Sequence, residues 1–404
     1  MNRRELLAPL RERNFRQLVS GRTFGEFGNS IAPFALAFAV VHLSGSAVDL
    51  GIVVGARSVA SVLLLLFGGV LADRLPRSVI LQGTELAAML TQAAIAASVL
   101  CGFASIPLLV ALSVANGAVA ALSMPAAAAI TPQTVPAPML TQANALSRLL
   151  VNTVRIAGAG LAGILVAAVG PGWTLGANSL LFLFAALSYR GVRLDRRTRV
   201  PGSRPLAELA EGWREFSSRT WVWVVVIQFM VVNAVTVGAL LVLGPIVASG
   251  TFGPAGWGLA LALQTLGSLA GGILAARWQP RHALLIGVAV TALDALPILT
   301  LGLSPYLLPI MVAMFLSGMG IEQFVVAWDV SLQENVPEEK LARVYSYDML
   351  GSFVALPLGE VSAGPLAEHF GRQTTLVAGG VLVVVVTGFC LCSREVRGLV
   401  RVGG

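Results

Sequence analysis

The chain has 404 residues, of which 56% are apolar and only 12% charged, and its mean hydropathy is +0.82. Soluble domains carry charge on roughly a quarter of their residues, so this composition excludes a water-soluble globular protein. The formal net charge of +7 comes from basic residues scattered over several loops, not gathered in one footprint, which excludes nucleic acid as a partner.

A helix that crosses ~30 Å of hydrocarbon needs ~20 mostly apolar residues. Such runs predict spans at 17–43, 48–72, 78–102, 106–128, 143–170 and 173–190, then at 220–248, 255–277, 283–303, 305–328, 342–368 and 373–393. The fold class is therefore an all-α membrane protein with two halves of six helices, residues 1–190 and 220–404, joined by a linker at 191–219. The basic start through Arg16 resembles a signal peptide, but 21–43 is too long for one and stays as the first span.

Basic residues mark the cytoplasmic side of a membrane protein. Arg3, Arg4, Arg11, Arg13, Arg16, Arg74, Arg77, Arg277, Arg281, Lys340, Arg343, Arg394, Arg397 and Arg401 share one side with the linker, while the other side has little beyond Arg372. Both termini are expected in the cytoplasm. The linker holds seven arginines with Pro201 and Pro205, followed by an amphipathic stretch from Leu206 to Phe216 suited to the inner leaflet.

The two halves are copies of one another. Gly68 to Arg74 returns as Gly271 to Arg277, and Val135-Pro136 with Gly158, Gly163 and Gly170 returns as Val336-Pro337 with Gly359, Gly364 and Gly371. Paired membrane repeats are how many transporters build a site that faces either side in turn. The glycine runs lack the Lys and Ser/Thr of a nucleotide loop, so they read as places of close helix contact. Cys101, Cys390 and Cys392 read as small apolar fillers, and the three histidines, His42, His282 and His369, lie in different loops. No metal, cofactor or catalytic constellation is expected, and the chain is not read as an enzyme.

An ionisable side chain inside a membrane is expensive and demands a reason. Arg22, Glu26 and Asn29 form one polar stripe on the first span, and Arg148, Asn152 and Arg155 repeat the spacing on the fifth. Glu26 lies about 14 Å inside its span. Two readings fit equally: a water-accessible cavity where Glu26 takes a proton or a cationic group, or a structural Glu–Arg pair locking the two helices. Asp294 and Glu322 are further proton-coupling candidates, with Asp329 read as a solvated end charge. Asn116, Gln228, Asn233 and Gln264 are polar groups suited to hydrogen-bonding a ligand. Phe24, Phe27, Phe34, Phe315, Phe324 and Trp328 offer it apolar walls, although such aromatics serve packing more often.

Gly69-Val-Leu-Ala-Asp73-Arg74-Leu-Pro76-Arg77, Pro125-Ala with Gln142-Ala-Asn144, and Val336-Pro337 through Arg343 to Asp348 carry a family likeness. The chain resembles the major facilitator superfamily over essentially its whole length. Within it, the chain is similar to the twelve-span drug:proton antiporters that include macrolide-efflux and enterobactin-exporter-like proteins. Two features depart from that branch: Ser113 stands near the position of its helix-4 Arg, and Gly158 to Gly163 lacks the Pro of its helix-5 signature. The resemblance implies a bacterial inner-membrane transporter that acts as a monomer without cofactor. Such a protein exports an amphipathic organic molecule by alternating access, in exchange for protons. It also implies gating roles for Asp73, Arg74 and Arg77 on the inner side, and for Arg57 with Glu360 on the outer side. The rival readings are an uptake or metabolite symporter on the same fold and, with less support, a membrane sensor.

Overall fold

The computed structural model describes residues 7–74, 76–192, 213–214, 216–278, 280–304 and 306–400. The described residues are almost entirely helical and contain no strand. Lipid offers backbone groups no hydrogen bonds, and a helix satisfies them within one segment. In chain order the long helices are α1 (Arg13–Ser44), α2 (Ala47–Arg74), α3 (Arg77–Leu100) and α4 (Ile106–Ala129). A single run, Leu140–Arg190, breaks at Gly170 into α5 (140–169) and α6 (171–190). Then follow α7 (Thr220–Ser249), α8 (Gly253–Arg277), α9 (Ala283–Leu303), α10 (Leu307–Asn335), α11 (Glu338–Phe370) and α12 (Arg372–Cys392). Eleven of the continuous runs are long and apolar enough to cross a membrane, and the break at Gly170 makes twelve. Large apolar side chains stand uncovered along them, among them Leu63, Leu90, Ile164 and Phe389 at 58–74% exposure, as lipid-facing helices require.

The repeat seen in the sequence is also a repeat of backbone conformation. Gly170 takes φ +83° and ψ 165° between α5 and α6, and Gly371 takes φ +87° and ψ 145° between α11 and α12. A positive φ is open to glycine and penalised for other residues, so both copies keep glycine at the turn. A second matching pair lies 12 residues earlier in α5 and α11. Gly158 of α5 packs against Ser30 of α1, where a Cβ would stand 2.6 Å from the Ser30 Cβ, and Gly359 of α11 packs against the Ala234 backbone of α7.

Three helices are less regular than their apolar patterns predict. α7 carries a π-helical segment, Gly238–Leu243, and α9 passes through a 3-10 turn, Thr291–Asp294. α10 continues to Asn335, well past the expected end at 328. Asp329 therefore lies inside the helix and accepts a hydrogen bond from the Tyr345 hydroxyl at 2.9 Å, instead of ending it as a solvated charge.

The chain divides into two compact units, one of residues 1–45 and 52–200, the other of residues 46–51 and 201–404. In the first, α1 and α3 pack on the α5–α6 run, and α3 also packs on α4. In the second, α8 packs on α10, α7 on α11 and α9 on α12, and residues 46–51 belong here because Ala47 lies against Gly364 of α11. Most of the linker lies outside the described residues. At its end Trp213 stacks on Phe216, which joins a core cluster with Trp221, Phe324 and Trp328.

Candidate functional site

The polar groups of the N-terminal unit converge on α1. Gly21, Gly25 and Gly28 follow one another at helical spacing and open a groove along it. A Cβ at these positions would stand 2.9 Å from the Tyr189 ring, 2.8 Å from Glu85 Oε1 and 2.9 Å from the Phe182 ring respectively. Each glycine thus admits one side chain from α3 or α6.

On the neighbouring face of α1, Glu26 meets Arg155 of α5. The guanidinium donates through Nε at 3.2 Å and through a terminal nitrogen at 3.0 Å, both to Glu26 Oε2. The side chains remain 56% exposed at Arg155 and 27% at Glu26. The pair ties α1 to α5. Asn152, one turn from Arg155, is exposed, as are Asn29 and Arg148; Arg22 is half-buried. The two polar stripes expected from spacing thus meet at this one ion pair.

Glu85, on α3, is the group that sequence reasoning passed over. Its Oε2 is buried and has no hydrogen-bond partner among the described residues. Glu26 acts on it electrostatically, and the buried Tyr189 lies within reach of Glu85, Arg22 and Glu26 together. A lone carboxylate in an apolar run, set beside the glycine spacing on α1, was the available signal.

Glu85 also borders a small cavity of about 40 Å³ whose walls include Asn29, Arg57, Asn116, Ser123 and Phe182. Arg57 donates through Nε to Asn116 Oδ1 at 2.9 Å, and Asn116 Nδ2 donates to the Thr91 hydroxyl at 3.2 Å. Two residues assigned different tasks from sequence, Arg57 as gate and Asn116 as ligand contact, are therefore hydrogen-bonded to each other.

The C-terminal unit separates its polar groups. Asp294, 2% exposed, accepts from the Ser317 hydroxyl at 2.6 Å, and Gln264 Nε2 donates to the same hydroxyl at 3.4 Å. Gln228 donates to Thr291 at 2.9 Å and to Thr387 at 3.3 Å in a closed triad joining α7, α9 and α12. Phe324 stacks between Phe229 and Trp328, with ring centroids at 4.6 and 6.2 Å, as part of the core. Glu322 lies along α8 at Gly272, and Asn233 is half-buried on α7. Glu360 is buried at 3% exposure and Arg77 opens α3. The side chains of Asp73 and Arg74 lie outside the described residues.

The architecture and the sequence both have counterparts among known proteins. The multidrug efflux pump Tap of Mycolicibacterium fortuitum is 25% identical over 374 residues, 87% of this chain and 88% of that one. A bacterial homologue of the human lysosomal transporter Spinster, inward-facing and unoccupied, superposes with a TM-score of 0.72 at 17% identity over 99% of this chain and 98% of that one. The nucleoside transporter NupG gives a TM-score of 0.70 at 13% identity over 93% of this chain and 98% of that one. At such identities the solved structures speak for the fold alone. Residues 5–397 match the family described as transmembrane secretion effector. The chain is a multi-pass membrane transporter, not an enzyme, and belongs to this family of the major facilitator superfamily.

Proposed function

We propose that the protein exports amphipathic, mostly apolar organic molecules from a bacterial cytoplasm by alternating access, in exchange for protons. The observation that carries this reading is the Glu26–Arg155 pair, an accessible pair of opposite charges inside membrane helices. A proton on Glu26 dissolves the pair, and a cationic substrate group competes with Arg155 for the same carboxylate. Proton and substrate then exclude one another at one place, which is what exchange requires. Asp294 and Glu322 remain the alternative proton carriers, and the likeness to Tap supports export over uptake. Cells producing the chain should accumulate less ethidium, an apolar aromatic cation, than cells without it, and a protonophore should erase the difference. Greater accumulation would favour the uptake reading.

The proposed orientation places both termini in the cytoplasm of the inner membrane. Reporter fusions after Arg199 and after Gly404 should read inside, and a fusion near Gly172 outside. If 172 and 199 reported the same side, α6 would not cross and the plan of two six-helix halves would fail.

A further inference from the structure

Glu85 turns a buried carboxyl oxygen into the N-terminal unit, at a place the exchange just described leaves unused. It is eight residues into α3, about 12 Å from the end of that helix. Arg57 and Asn116 are each ten residues into α2 and α4, about 15 Å from ends on the opposite side of the bilayer. The cavity of about 40 Å³ thus bridges the middle of the membrane. It has room for about three or four waters at roughly 10–15 Å³ each. Polar groups line it from both directions: Glu85 and Thr84 from α3, Arg57 from α2, Asn116 and Ser123 from α4, and Asn29 from α1.

Glu85 borders this cavity and lies against α1 at the residue before Glu26. One carboxyl oxygen fits the notch at Gly25, the residue next to Glu26, and the other is buried with no donor among the described residues. We propose that Glu85 relays the exchanged proton between the central cavity and the accessible carboxylate of Glu26. The inference rests on the proton-exchange reading and adds the route. A proton arriving through cavity water binds Oε2 of the Glu85 carboxylate, which becomes a neutral acid needing no cation beside it. Glu85 then passes that proton to the Glu26 carboxylate and becomes ionised again, while Glu26, now neutral, releases Arg155. The proton leaves Glu26 to water on the accessible face, and Arg155 returns to the carboxylate. Among the described residues, the charged or titratable groups that face Glu85 are Glu26 of α1, Arg57 of α2 across the cavity and Tyr189 of α6.

Purified full-length protein in liposomes, with ethidium as probe, separates the route from the reading on which it rests. Glu85→Gln should keep ethidium exchange between the two sides at zero gradient within about twofold of wild type. Its transport driven by an imposed pH gradient should fall at least tenfold. Glu85→Asp, which keeps the acid, should retain part of the driven transport. Ala120→Val, which places carbon in the water-sized cavity with Glu85 intact, should slow driven transport and spare exchange. If wild type itself ignores the pH gradient, the proton-exchange reading fails. If wild type responds and Glu85→Gln responds equally, only the relay is overturned. Should Glu85→Gln not fold, normal driven transport in Ala120→Val overturns it alone.

Discussion

Replacing Glu26 by Gln is expected to cut proton-driven export at least tenfold, about 1.4 kcal/mol of coupling, and to weaken exchange of a cationic substrate, which loses the same carboxylate. Gln keeps the shape of the side chain and still accepts a hydrogen bond from Arg155, but it neither binds a proton nor carries charge. The fold should hardly notice, because the accessible pair is worth about 0–1 kcal/mol. Driven transport, exchange and thermal unfolding measured on one preparation distinguish the outcomes. Loss of folded protein would make the pair a structural lock between α1 and α5. An unchanged pH dependence would remove Glu26 as a carrier and turn attention to Asp294 or Glu322.

Gly267→Ala should be among the most damaging single-methyl changes in the C-terminal unit. A Cβ there would run into the Phe315 carbonyl of α10. Backbone cannot step aside as a side-chain tip does, so the cost is about 1–3 kcal/mol. Gly272→Ala, one and a half turns along the same helix, is the control. Its Cβ would meet only the Glu322 side chain, at 3.4 Å, and alanine favours a helix over glycine by about 0.5–1 kcal/mol. The first variant should unfold at lower temperature than wild type in detergent and the second at the same or higher temperature. Equal shifts in the two would contradict the close packing of α8 on α10.

The fold was legible because lipid leaves few options. Long apolar runs must be helices, and glycines at matching places in two halves carry the same turn, as Gly170 and Gly371 show in φ. Spacing also put Glu26 and Arg155 on stripes that meet. It failed where an effect is not periodic. The π-helical segment of α7 leaves no mark in an apolar sequence, and the hydroxyl of Tyr345 holding Asp329 comes from another helix. Phe324 offers either a ligand wall or core packing from sequence, and its partners Phe229 and Trp328 make it core. Glu85 was missed for a different reason. Its significance comes from α1, whose Gly25 makes room for it, and from the cavity it shares with Arg57 and Asn116, neither of which α3 announces by itself.

The central claim is exchange of an organic substrate for protons, and proton movement measured directly tests it. Wild-type protein reconstituted in liposomes containing a pH-sensitive dye should move protons when ethidium is added on one side with no gradient imposed. The protons should move opposite to the ethidium, and Glu26→Gln should abolish the signal. Proton movement in the same direction as the substrate, or ethidium flux with no proton movement at all, would contradict the account.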